Sequence, residues 1–146
     1  MTRWRILVVD DEIGSTRLLK ANLELTDLYE VRVENRPENA LPMAQKFKPH
    51  LVLLDVVMPN MSGADVAKAL LGDPELRSVP IALLTAADRS LLPLDTDPAV
   101  NRLPRIAKPA SMDDILKFLE KNLSLPAVPG LKVPCEPAQS LGGTNE

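Results

Sequence analysis

Four apolar runs in this chain end in groups that can do chemistry. Ile6-Leu7-Val8-Val9 ends in the acidic pair Asp10-Asp11, and Leu51-Val52-Leu53-Leu54 ends in Asp55. Two further runs end in Thr85 and Lys108. Runs of this kind read as buried strands of a parallel sheet, and open parallel sheets bind ligands at the carboxyl edge of their strands. Three carboxylates gathered at one edge repel each other unless something shares their charge. Their simplest common partner is a hard divalent cation with oxygen ligands. Mg²⁺ (or Mn²⁺) is the expected ion, since Mg²⁺ takes one or two carboxylates, keeps several waters and accepts a phosphate oxygen. Lys108 would add a compact positive charge and Thr85 a hydroxyl donor. Cation, lysine and hydroxyl together make a clamp for the equatorial oxygens of a transferring phosphoryl group. The group left to receive it is a carboxylate, and Asp55 is the best placed nucleophile.

The elements that must position these residues alternate between strand-like runs and helix-period segments, the pattern of βαβ units around a parallel sheet. Strands are expected over residues 5–9, 29–34, 51–55, 80–84 and 103–107. A first helix over 13–25 would bury Leu18, Leu19 and Leu23. Asn35 is expected to cap a second helix, with Pro37 near its start and Glu38 completing the capping pair. Pro42 lies inside that segment and should kink the helix or shift its start. Ser62 should cap a short helix over 63–71, Asp73-Pro74 should turn, and Ser111 with Asp114 should box the start of a last helix. The segment 86–102 is the exception. Pro93 and Pro98 interrupt it, and each proline inside a helix costs about 3 kcal/mol, so a truncated helix or an irregular loop is expected there.

The chain is 146 residues long, enough for one domain with its own core. A net charge of −3 leaves no basic footprint for direct nucleic-acid binding. No apolar stretch approaches the roughly 18 residues of a membrane span, and the N-terminus is no signal peptide. Cys135 is the single cysteine and has no internal partner, which fits a reducing cytoplasm. Seven prolines and glycines after about Ser124 preclude regular structure, so 1–123 is expected to be the domain and 124–146 a disordered tail. Its two P-x-x-P spacings read as solvated polyproline before they read as a docking motif. His50 is expected to be an exposed turn residue and Trp4 a packing residue at the sheet end.

Taken together, the Asp10-Asp11 pair, Asp55 with Met58-Pro59 and Gly63, Thr85-Ala86 and Lys108-Pro109 resemble, in order and separation, the receiver domain of two-component response regulators. The resemblance covers about residues 4–123. It implies a flavodoxin-like (βα)5 fold with a doubly wound sheet of order 2-1-3-4-5, here with an atypical fourth helix. It implies that Asp55 takes a phosphoryl group from a phosphohistidine on a sensor histidine kinase or phosphotransfer protein, then alters binding to a downstream protein. Asp11 would be the more direct metal ligand, Asp10 would contribute partly through water, and the backbone carbonyl of Val57 would complete the set with Asp55. Thr85 would swing toward the phosphoryl oxygen, Lys108 would pair with it, and the Lys108–Pro109 bond would be cis.

Three positions depart from the family pattern. Arg105 stands where receivers usually carry a Tyr or Phe, three residues before the lysine, which puts the usual relay and its dimer surface in question; a monomer or weak dimer is expected. Val57 and Ala87 offer no side-chain hydrogen bond to a hydrolytic water, so slow self-dephosphorylation is expected, with no turnover of a separate substrate. A different reading is a phosphorylation-independent interaction module on the same fold. A phosphatase with an aspartate nucleophile ranks last, because Asp65 is too far along the next helix to protonate a leaving group.

Overall fold

The computed structural model describes residues 3–58, 61–86, 97–108 and 110–123. Five parallel strands form one sheet: β1 (Trp4–Val9), β2 (Tyr29–Glu34), β3 (Leu51–Asp55), β4 (Ile81–Ala86) and β5 (Arg105–Lys108), in the order β2-β1-β3-β4-β5. Helices α1 (Ile13–Glu24), α2 (Ala40–Phe47), α3 (Gly63–Leu71), α4 (Pro98–Asn101) and α5 (Met112–Leu123) connect them or close the chain. This is the expected flavodoxin-like order.

Alternation along the central strands divides the core in two. Leu7, Val9, Val52, Leu54, Ile81 and Leu83 face α2, α3 and Val100 of α4. Ile6, Val8, Leu51, Leu53 and Ala82 face the opposite way, onto Leu23 of α1 and Ile115, Leu119 and Leu123 of α5. Strands buried on both faces must be apolar at every position, which is why β3 reads as an unbroken run until Asp55. Trp4 is buried at the sheet end as expected.

Several local expectations change. Asn35 caps no helix: a 3-10 turn over Pro37–Asn39 follows it, with Arg36 at the cap position and no side-chain bond. Its amide instead reaches back to Asp10 and Thr16. Pro42 shifts the start of α2 to Ala40, so its missing N–H falls in the first turn, where no intrahelical partner is lost. Leu18 is 65% exposed rather than buried. It borders a cavity of about 510 Å³ between α1 and α5 that also touches Asp10 and Lys108. His50 is partly buried, its Nδ1 accepting the Arg5 N–H at 2.9 Å and its ring edge-on to Trp4 at 5.1 Å. β5 begins two residues later than expected, after Pro104, whose carbonyl accepts the Leu83 N–H. Pro98 proves helix-starting, at the first turn of α4, with Asp97 Oδ1 accepting the Ala99 N–H. Pro59, Ala87, Pro93, Pro109 and the tail 124–146 lie outside the described residues.

Candidate functional site

Strand register assembles the site. Val9 pairs with Leu54, so Asp10 follows beside Asp55. Asp55 pairs with Leu84, placing Thr85 one step beyond. Thr85 pairs with Ala107, and Lys108 comes next. Each polar residue thus emerges at one carboxyl edge as its strand leaves the apolar layer.

The three carboxylates converge: one oxygen from each of Asp10, Asp11 and Asp55 lies within 4.8 Å of the other two. Asp10 and Asp55 are buried, while Asp11 is exposed. Lys108 Nζ lies 2.8 Å from Asp55 Oδ1 and 3.4 Å from Asp10 Oδ2. The other Asp10 oxygen accepts the Glu12 N–H at 2.9 Å. Three carboxylates against one ammonium leave two negative charges uncompensated when all are ionised. An oxygen-only donor set with that charge fits a hard divalent cation.

Electrostatics point the same way. Burial pushes the Asp55 carboxyl above its ordinary range; the Lys108 hydrogen bond and charge pull it back only partly, and Asp10 and Asp11 push it further up. Lys108 loses some basicity to burial, but the Asp55 and Asp10 carboxylates more than restore it, so its ammonium is held above the usual lysine range. The lysine is therefore the standing counter-charge of the cluster.

Thr85 is 1% exposed, and its Oγ1 has no hydrogen-bond partner among the described residues. A buried hydroxyl without a partner is costly, and its place at the strand edge suits an anionic oxygen as acceptor. Arg105 pairs with Leu83, lower on the sheet than Thr85 and Lys108, and is partly buried. Val57 is 60% exposed just beyond Asp55.

The end of β3 is braced by α3. Ser62 Oγ accepts the Asp65 N–H at 3.2 Å, and Asp65 returns a bond to the Ser62 N–H, the full capping box. Gly63 N–H donates to Val56 O at 2.8 Å. A Cβ on Gly63 would sit 2.3 Å from the Asp55 carbonyl oxygen, so only glycine lets the helix start this close to the strand tip.

Comparison with known proteins agrees with this geometry. Residues 6–120 match the model of the response regulator receiver domain. The chain belongs to that family. Within it, this receiver is 45% identical over 84 residues to the response regulator PleD of Caulobacter vibrioides, a stretch covering 58% of this chain and 18% of that protein. The chain therefore spans under a fifth of that relative's length. The chemotaxis protein CheY4 of Vibrio cholerae superposes with a TM-score of 0.69 at 28% identity, over 82% of this chain and 98% of that one. The receiver domain of sensor histidine kinase PA1611 from Pseudomonas aeruginosa PAO1, with a magnesium ion coordinated in its active site cleft, shares the fold. Its TM-score is 0.71 at 21% identity, over 82% of this chain and 97% of that one. Two-component signalling is the setting of this receiver, and no described helix is long and apolar enough to cross a membrane.

All five polar residues singled out at strand ends thus belong to one edge of the receiver. Sequence reasoning missed Thr16 and the true role of Asn35. A threonine 1% exposed on α1 could have been noticed as a polar residue at a core-facing position, but nothing in its spacing named its partners.

Proposed function

We propose that Asp55 is the phosphoacceptor of a signalling switch. The observation that carries the reading is a buried carboxylate with Lys108 on one oxygen, two further carboxylates beside it, and a hydroxyl on the next strand without a partner among the described residues. Lys108 holds Asp55 Oδ1, which leaves Oδ2 as the attacking oxygen. A new O–P bond forms as the donor's P–N bond breaks, and the electron pair leaves with the imidazole of a phosphohistidine. Lys108 and the Thr85 hydroxyl receive the oxygens of the transferred group. Asp10, Asp11, Asp55 and the Val57 carbonyl would hold Mg²⁺ or Mn²⁺, which supplies charge neutralisation for the phosphoryl oxygens. The donor is a sensor histidine kinase or phosphotransfer protein, and the readout is altered binding to a downstream protein.

The test is intact-mass analysis after incubation with a small phosphoramidate or acyl phosphate. One phosphoryl group is expected in the presence of Mg²⁺, labile to hydroxylamine, and none with EDTA or in Asp55→Asn. Unchanged incorporation in Asp55→Asn would overturn the assignment. Arg105, standing where the family carries an aromatic, favours a second reading in which the fold serves as an interaction module without phosphorylation. Beryllofluoride with Mg²⁺ separates the two: a switch shifts Thr85 and distant amide resonances, whereas the module shifts only amides at the site.

A further inference from the structure

We propose that Asn35 and Thr16 form a positioning clip that sets the Asp10–Asp11 loop for divalent-cation binding. The inference rests on reading the carboxylate cluster as a cation site. That cluster requires Asp11, which is exposed, to converge on Asp55 from a three-residue loop between β1 and α1. The loop receives little help from α1 itself. Glu12 occupies the cap position without a side-chain bond, and no acidic residue lies in the first turn.

Restraint comes from the side. The Asp10 N–H donates to Glu34 O at 3.2 Å, and the Asp10 carbonyl accepts from Asn35 Nδ2 at 2.7 Å. The same amide nitrogen donates to Thr16 Oγ1 at 3.2 Å. Thr16 Oγ1 donates in turn to Ile13 O at 2.9 Å, with Glu12 O at 3.2 Å. One amide therefore joins the end of β2, the acidic loop and the first turn of α1.

The chemistry between these atoms is restrictive. The Asp10 carbonyl offers only lone pairs. Thr16 has given its single proton to main-chain carbonyls, so toward Asn35 it also offers a lone pair. The group between them must bring two hydrogens in one plane, as a carboxamide does and a carboxylate or a lone hydroxyl does not. Removing it frees the Asp10 peptide to rotate, and that peptide carries the Asp11 Cα. Asn35 touches no reacting atom, so its part is to place others. Partners that orient ligands in this way are worth about 10- to 100-fold in metal affinity when removed.

The experiment is Mg²⁺ titration of the full chain by calorimetry, with Mn²⁺ electron paramagnetic resonance as a second probe. Asn35→Ala and Thr16→Val are each expected to weaken binding about 10- to 100-fold. Thr16→Ser, which restores the hydroxyl, is expected to bind like the parent. Because the two residues act as one unit, the double variant Asn35→Ala/Thr16→Val should be no weaker than the weaker single. Melting each variant in EDTA fixes the temperature at which it is folded, and titrations are run below it. Lowered melting with unchanged affinity in both single variants would overturn the clip, as would strictly additive losses. If the parent itself binds neither ion, the cation reading fails together with this inference. If the parent binds and Asn35→Ala matches it, only the clip fails.

Discussion

Replacing Gly63 by alanine sets two physical effects against each other. On helix propensity alone the change should help, since Gly is about 1 kcal/mol worse than Ala within a helix. The packing says otherwise. The new Cβ would lie 2.3 Å from the Asp55 carbonyl oxygen, 2.7 Å from Val56 Cα and 3.0 Å from Asp55 C, all main-chain atoms that cannot swing aside. Ordinary contact starts at 3.4 Å, so the helix start must retreat by about 1 Å. That movement also stretches the 2.8 Å bond from Gly63 N–H to Val56 O. Overpacking costs about 1–3 kcal/mol and the weakened bond about 1 kcal/mol more. After the propensity gain, Gly63→Ala should destabilise the domain by about 1–3 kcal/mol. Urea unfolding in EDTA, followed by circular dichroism, reads this as a lower midpoint at unchanged slope. Mg²⁺ affinity should fall too, because the displaced atoms are the backbone of Asp55. A midpoint equal to or above the parent's would refute the reasoning.

Other expectations can be checked on the same protein. Burial, together with Asp10 and Asp11, makes folded Asp55 hold its proton more tightly than the unfolded chain does. Its contribution is thus favourable at low pH and lost as pH rises through its folded value. Asp55→Asn should therefore exceed the parent in stability at neutral pH in EDTA, and equal or lower stability would contradict the electrostatics. Mg²⁺ at a hundred times its dissociation constant should stabilise the parent by about 2.7 kcal/mol, with a clearly smaller gain in Asp55→Asn, both read from thermal melts. Burial, with the Arg5 charge, holds His50 below the usual imidazole range. Its stabilising share is then present above the unfolded value near about 6.5 and lost as pH falls below it. His50→Asn, which keeps an acceptor for the Arg5 N–H, should flatten that part of the pH profile in EDTA. Ser62→Ala removes the cap that accepts the Asp65 N–H and should cost about 1 kcal/mol in urea unfolding.

Much of the fold could be read from residue types because several elements carry their signals locally. β2 and β3 match expectation residue for residue, since alternation marks an edge strand and an unbroken apolar run marks a central one. The start of α3 was visible because Ser62 and Asp65 stand three apart before an apolar period. Asn35 misled for the same reason: Asn-x-x-Glu looks identical whether the amide caps the next turn or reaches across to another strand. Leu18 misled because helical periodicity reveals a face but not a gap between two helices. At the site, the strand-tip residues were legible one by one. Their joint geometry was not: the sharing of Lys108 between Asp55 and Asp10, and the burial of the Thr85 hydroxyl beside them, depend on strand register.

The Lys108–Asp10 contact joins residues 98 apart in sequence, on β5 and at the end of β1. Its consequence concerns the order of assembly. A chain in which only β1 and β3 have docked already crowds the acidic groups, while its counter-charge still lies on an unplaced strand. Such a chain meets a repulsion that begins to ease only when β5 brings Lys108 to the edge. The last strand thus completes more than a layer of hydrogen bonds: it makes an otherwise self-repelling edge tolerable. Early, partly built forms should consequently be helped by acid or by divalent ions more than the finished domain is. Completion of the sheet and competence of the site are, in this sense, a single event.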